Sequence, residues 1–156
     1  MSESASGGAG KPAVKAGVTL APFDPASAPT GAPSGFHPIA PLSAIPFGLS
    51  RAALPDAGGP FVVVRTEDTL HVMDGLCPHA KGELHLGDVE ELGGRLCVTC
   101  PRHRKKFPGG LSFDCVTGAA RVKAEPLPEA KYNPEWAVRS YDSAVVAGWL
   151  FFGNKQ

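Results

Sequence analysis

The chain has 156 residues, enough for one domain of ordinary size with a modest core and too few for a second catalytic domain. Fifteen basic residues balance fifteen acidic ones, so no global field points to nucleic acid, and no basic stripe with interleaved aromatics accompanies the charges. No apolar run is long enough for a transmembrane helix, so membrane insertion is not expected.

In chain order, residues 1–35 are dominated by Ala, Gly, Ser and Pro and are expected to form a disordered tail. Met1 to Leu20 lacks the continuous apolar stretch of a secretory signal. The absence of Arg before Arg51, together with Glu3 and Asp24, argues against an organelle transit peptide without settling the point. A cytoplasmic location is therefore expected. From 36 to 153 the apolar residues come in short runs punctuated by Gly, Pro and Asp, as in an antiparallel all-β domain, and 154–156 form a C-terminal tail. Strands are predicted over Phe36 to Ala40, Arg51 to Leu54, Phe61 to Thr66, Leu70 to Met73, Arg95 to Val98, Leu111 to Phe113, Trp136 to Tyr141 and Trp149 to Phe152. Asp56-Ala57-Gly58-Gly59, Glu67-Asp68, Gly93-Gly94 and Ala147-Gly148 read as hairpin connections, and Pro126 to Pro134 as a surface loop. Phe61-Val62-Val63-Val64 and Trp149-Leu150-Phe151-Phe152 read as sheet core, with Trp136 and Tyr141 in it or at its edge.

The chemistry concentrates in two short motifs, Cys77-Pro78-His79 and Cys100-Pro101-Arg102-His103, with twenty residues, 80–99, between them. Each supplies one thiolate and one imidazole. That mixture suits a [2Fe–2S] cluster in which Cys77 and Cys100 hold one iron while His79 and His103 hold the other. The same four residues suit a structural zinc ion, and Cys97-Val98-Thr99-Cys100 adds a CxxC pair. Zinc sites of this composition usually group like ligands, however, whereas here each half is a Cys followed by a His. With two neutral imidazoles in place of two thiolates, the oxidised site is uncharged, which eases electron uptake. One-electron transfer is the expected activity, with no catalytic residue of its own.

With these motifs, the chain resembles the Rieske family, and more closely its small soluble ferredoxin-like members. The resemblance rests on Cys77-Pro78-His79 followed by Gly82 and Leu84, and on Cys100-Pro101-Arg102-His103 followed by Phe107. Asp114-Cys115-Val116-Thr117-Gly118 matches the family's D-x-x-T-G turn, and His85-Leu86-Gly87-Asp88-Val89-Glu90 is similar to the linker between the two ligand loops. The resemblance implies a Rieske fold, an antiparallel β-sheet base topped by two ligand loops that form a small cluster-binding subdomain. It also implies one [2Fe–2S] cluster per chain and a soluble carrier taking electrons from a reductase to an oxidase or oxygenase. A redox or iron–sulfur sensor and a fixed subunit of an oxidoreductase complex stay open as alternatives.

Departures from the family pattern refine this expectation. The membrane-tethered members carry an extra Cys in each loop, at positions near Gly82 and Arg102 here, and a Ser where this chain has Lys105; fewer hydrogen bonds to the sulfurs imply a lower potential. Lys81 and Arg104 stand where other members have small residues, and Pro108 to Phe113 looks like an insertion. His37, His71 and His85 are the only other histidines, too few and too scattered for the additional iron site of a terminal oxygenase. Arg102, Arg104, Lys105 and Lys106, with Lys81, make the ligand-loop end locally positive, suited either to docking an acidic redox partner or to simple solvation. Cys97 and Cys115 are expected as buried thiols rather than a disulfide, and His85 as a surface residue.

Overall fold

The computed structural model describes residues 15–54, 58–78, 81–101, 111–122, 125–126 and 137–154. Twelve strands are assigned among them: β1 (Lys15–Thr19), β2 (His37–Pro41), β3 (Gly48–Leu54), β4 (Gly58–Arg65), β5 (Leu70–Asp74), β6 (Asp88–Leu92), β7 (Arg95–Thr99), β8 (Leu111–Asp114), β9 (Ala120–Val122), β10 (Glu125–Pro126), β11 (Ser140–Val146) and β12 (Trp149–Gly153). They form a seven-stranded sheet in the order β1-β3-β4-β5-β11-β12-β2 and a five-stranded sheet in the order β10-β9-β8-β7-β6. All pairings are antiparallel except that of β1 with β3. The described elements are strands and short 3-10 turns, as the punctuated apolar runs imply.

The run Phe61-Val62-Val63-Val64 is apolar throughout because both faces of β4 are buried. Val62 and Val64 join Leu49, Met73, Val98, Leu111 and Phe113 in a core between the two sheets. Phe61 and Val63 turn the other way, into a core with Ile39, Ile45, Val72, Leu150 and Phe152. Phe61, Tyr141 and Phe152 close the second core as an aromatic triangle with centroids 4.7 to 5.5 Å apart. The small sheet, in contrast, alternates. Val98 and Phe113 face the inter-sheet core, while their neighbours Cys97, Thr99, Ser112 and Asp114 lie on the opposite, polar side.

Several expectations need correction. Part of the stretch expected as a disordered tail is ordered: β1 pairs in parallel with β3, and Asp24 caps a 3-10 turn at Pro25–Ser27 by accepting from the Ala26 amide. The small Ala16 and Gly17 disguise a strand that is placed by pairing with β3. Asp88 to Glu90 is strand rather than linker, paired with β7 across the Gly93-Gly94 turn. The strand expected at Trp136 to Tyr141 instead runs from Ser140 to Val146. Its polar Asp142 and Ser143 hide it in the sequence, while pairing to β12 holds it in place. Gly58-Gly59 begins β4 instead of closing the turn before it. The strand expected at Leu111 to Phe113 is present as β8, while 108–110 lie outside the described residues. Trp136, most of the Pro126 to Pro134 loop, and the tails at 1–14 and 155–156 also lie outside them.

Candidate metal centre

The first ligand motif follows β5. Beyond Asp74 the chain turns at Gly75, whose amide donates to Pro60 O at 2.9 Å. Cys77 N–H then donates to Gly82 O at 2.8 Å, and Lys81 N–H donates to Cys77 O at 2.7 Å. A bridge between Leu76 and Glu83 closes the base of this loop. Lys81 adopts φ +59°, the left-handed region that glycine enters most easily. The chain continues into a 3-10 turn, Leu84–Leu86. At Gly87 a Cβ would drive into the carbonyl oxygen of Thr99, so only glycine lets this linker lie against β7.

The second motif leaves the end of β7. Cys100 N–H donates to Leu111 O at 2.9 Å, which makes this pair the last rung of the β7–β8 hairpin before the chain departs at Pro101. Strand alternation puts Cys100 on the same side as Val98, toward the inter-sheet core. Cys77 is fully buried in that same core. Two sulfur donors from different loops therefore enter one buried cluster, and both are thiols rather than disulfide sulfurs. This donor set fits one half of a mixed thiolate and imidazole centre. His79 and His103 lie outside the described residues, as do Arg102, Arg104, Lys105 and Lys106.

The D-x-x-T-G segment braces the far end of the hairpin. Asp114 Oδ1 accepts from the amides of Val116 and Thr117 at 2.8 and 3.0 Å, while Oδ2 accepts from Arg95 Nε at 2.7 Å. Gly118 N–H donates to Asp114 O at 2.7 Å. Burial works to raise the Asp114 pKa, but the Arg95 hydrogen bond and the two amides outweigh it and hold the carboxyl below its ordinary value. The turn is tied to the large sheet because Val138 N–H donates to Gly118 O and Ser140 Oγ donates to Cys115 O, both at 3.0 Å.

Cys97 and Cys115 are buried thiols, as expected. Burial is the main cause that pushes both thiols up, Cys115 to about 12. Both lie outside the two Cys/His motifs, and as buried, protonated thiols they pack as small apolar residues. His85 contradicts its surface assignment: it is only 6% exposed, beneath β1. Its pKa is lowered, chiefly by burial; Glu83 opposes this and Arg51 adds to it. An open cleft of about 330 Å³ flanks the first loop, lined by Pro60, Asp74, Pro78, Lys81, Val138 and Tyr141. Within it Tyr141 OH donates to Asp74 Oδ1 at 2.6 Å, and burial, followed by this contact, raises the phenol pKa to about 12.

Comparison with known proteins agrees with this arrangement. Residues 51–141 match the family described as soluble Rieske-type ferredoxin. A human Rieske domain-containing protein is 53% identical over 84 residues, a match covering 54% of this chain and 50% of that protein. The chain thus spans about half the length of this curated relative. Among solved structures, the ferredoxin of carbazole 1,9a-dioxygenase from Nocardioides aromaticivorans IC177 superposes with TM-score 0.56 at 27% identity, covering 78% of this chain and all (100%) of that one. The ferredoxin of Sphingomonas yanoikuyae B1 gives TM-score 0.54 at 21% identity over 76% of this chain and 97% of its own, a likeness of fold. A structure titled as a complex of reduced oxygenase and oxidized ferredoxin in carbazole 1,9a-dioxygenase gives the same TM-score, 0.54, at 20% identity, covering 78% and 95%.

Proposed function

Because the chain belongs to the soluble Rieske-type ferredoxins, a family that carries a [2Fe–2S] cluster, we propose that it carries single electrons between protein partners, with Cys77, His79, Cys100 and His103 as the ligands. The observation that carries this reading is the entry of Cys77 and Cys100, from two separate loops, into one buried core. When bound, the cluster supplies a one-electron couple, at a potential above that of four-thiolate ferredoxins. The chain's own part is to exclude water from the sulfur side and to hold the two loop roots rigid through the Cys77–Gly82 and Cys100–Leu111 hydrogen bonds. The histidines, as the ligands with a second ring nitrogen, offer the route by which an electron leaves.

The donor in this reading is a reductase and the acceptor an oxidase or oxygenase. The carbazole dioxygenase ferredoxins among its structural relatives support that pairing. Arg102, Arg104, Lys105 and Lys106 belong to the second loop in sequence, and Lys81 is exposed on the first, so the acceptor surface they suit is acidic. A reducing, cytoplasmic setting is part of the reading, supported by four cysteines that are all thiols. Among the described residues no helix is long and apolar enough to cross a membrane.

Electron paramagnetic resonance of the anaerobically purified protein after dithionite reduction tests the ligand set. A rhombic signal of low average g-value is expected, and its loss in Cys77→Ser. A silent sample holding stoichiometric zinc after reconstitution would sink the carrier reading. Docking is tested separately with Lys105→Glu combined with Lys106→Glu: electron-transfer rates to an acidic partner at low salt should fall, and unchanged rates would reject that surface.

A further inference from the structure

Immediately below the Cys100 rung, three polar side chains from three strands form one chain of hydrogen bonds. Thr99 Oγ1 donates to Glu90 Oε2 at 2.6 Å, and Thr99 Oγ1 and Ser112 Oγ are 2.7 Å apart. A threonine hydroxyl has one proton to give, and Thr99 gives it to the carboxylate. Ser112 must then be the donor to Thr99, which fixes the direction of the chain from β8 through β7 to β6. Thr99 and Ser112 are both fully buried and directly opposite in register.

The position of this chain in the hairpin gives it its consequence. Thr99 precedes Cys100, and Ser112 follows Leu111, the residue whose carbonyl accepts the Cys100 amide. The hydroxyl pair is thus the rung next to the one from which the second ligand loop emerges. On its other side, Thr99 O is the atom against which the inter-loop linker packs at Gly87. One residue therefore touches the hairpin partner, the edge strand and the segment that leads out of the first loop. Ser112's single proton is engaged by Thr99, so this serine is not free to donate elsewhere.

We propose that Glu90, Thr99 and Ser112 are positioning residues that clamp the neck of the second ligand loop and so hold Cys100 in place for the metal centre. None of them touches the cluster in this assignment; they act through the Cys100–Leu111 rung. The short contact to a carboxylate makes the chain stronger than a neutral hydroxyl pair. Thr99 and Ser112 are also fully buried, so breaking the chain at either leaves a hydroxyl unsatisfied instead of returning it to water. The inference rests on Cys100 being a ligand, but the clamp itself is a statement about the hairpin and can be read without any metal.

The test uses Thr99→Val, which keeps the β-branched shape and removes the hydroxyl, beside Thr99→Ser, which keeps the hydroxyl and loses the methyl. The first readout is hydrogen exchange, by mass spectrometry, of the peptide containing Cys100 in the protein as isolated. Thr99→Val should exchange there about 10- to 100-fold faster, the range expected for loss of a buried partner supporting a ligand, and Thr99→Ser should stay close to the parent. The second readout is the rate of iron release to a chelator, which should follow the same order. Ser112→Ala supplies the milder break if Thr99→Val does not fold, with the same signs. Unchanged exchange in Thr99→Val or, in its place, Ser112→Ala would overturn the clamp, as would Thr99→Ser exchanging as fast as Thr99→Val. Faster exchange in Thr99→Val, with a parent protein that holds no iron even after anaerobic reconstitution, would uphold the clamp while rejecting the ligand assignment.

Discussion

Removing the carboxylate of Asp114 tests how the second hairpin is held. The side chain is 2% exposed and accepts three hydrogen bonds, two from turn amides and one from Arg95. Hydrogen bonds to a charged group contribute about 1.5–3 kcal/mol each when their partners are buried. Val116 and Thr117 are exposed, however, and the Arg95 side chain is 44% exposed, so the orphaned donors can find water. Asp114→Ala is therefore expected to cost about 3 kcal/mol, well short of the sum of three full bonds. Asp114→Asn can keep its carbonyl oxygen on the two amides, but presents an NH₂ group to the Arg95 Nε–H. The expected loss is about 1.5 kcal/mol. Urea unfolding followed by circular dichroism measures both. The pH dependence supplies a further check. The folded carboxyl is held below its ordinary pKa, so its stabilisation is present at neutral pH and fades as the pH falls through that depressed value. The gap between parent and Asp114→Asn should accordingly shrink in acid. Equal losses in the two variants, or a gap that widens in acid, would refute the assigned bonding.

Gly87→Ala places a methyl group against Thr99 O, and a shift of the linker is expected to cost about 2 kcal/mol by thermal or urea unfolding, with faster iron loss; parent-like behaviour would show that the close approach is not required. Lys81→Gly should change stability by less than about 0.5 kcal/mol, because relief of a left-handed residue offsets glycine's larger folding entropy cost, whereas β-branched Lys81→Val should lose about 1 kcal/mol or more. Cys97 and Cys115 should resist iodoacetamide at pH 8 in the folded protein and react readily in urea, since burial raises both thiols; rapid labelling of either without unfolding would contradict the packing described.

What the sequence made legible follows from which signals are local. The strands at Phe61 and Trp149 announce themselves because burial on both faces demands an unbroken apolar run. The two Cys/His motifs stand out by spacing and residue type, and of their four proposed ligands the described residues bring Cys77 and Cys100 into one core. β1, β6 and the far half of β11 are not, since their place depends on an edge or hairpin partner rather than on their own composition. His85 was misread for a related reason. A loop histidine looks exposed until β1, itself unpredicted, packs Gly17 beside it. Thr99 carried a usable signal in the alternation Arg95-Leu96-Cys97-Val98-Thr99-Cys100, and Ser112 in Leu111-Ser112-Phe113, but its meaning needed the register that sets Thr99 opposite Ser112.

That alternation also explains how a small sheet can serve two ends. Its apolar side, with Val98, Leu111 and Phe113, is joined to the large sheet through the inter-sheet core, and Cys100 shares that side with Cys77. Its polar side holds Arg95 with Asp114 at one end of the hairpin and Glu90, Thr99 and Ser112 at the other. Hydrophobic burial sets the distance of the hairpin from the base but is indifferent to small slides of one strand along another. Hydrogen-bonded side chains at both ends of the polar face oppose such slides, because each bond is directional and Thr99, Ser112 and Asp114 are buried. The ligand loops thus depart from a frame whose depth is fixed by apolar packing and whose register is fixed by polar contacts. The proposed centre, with ligands from two loops, needs both.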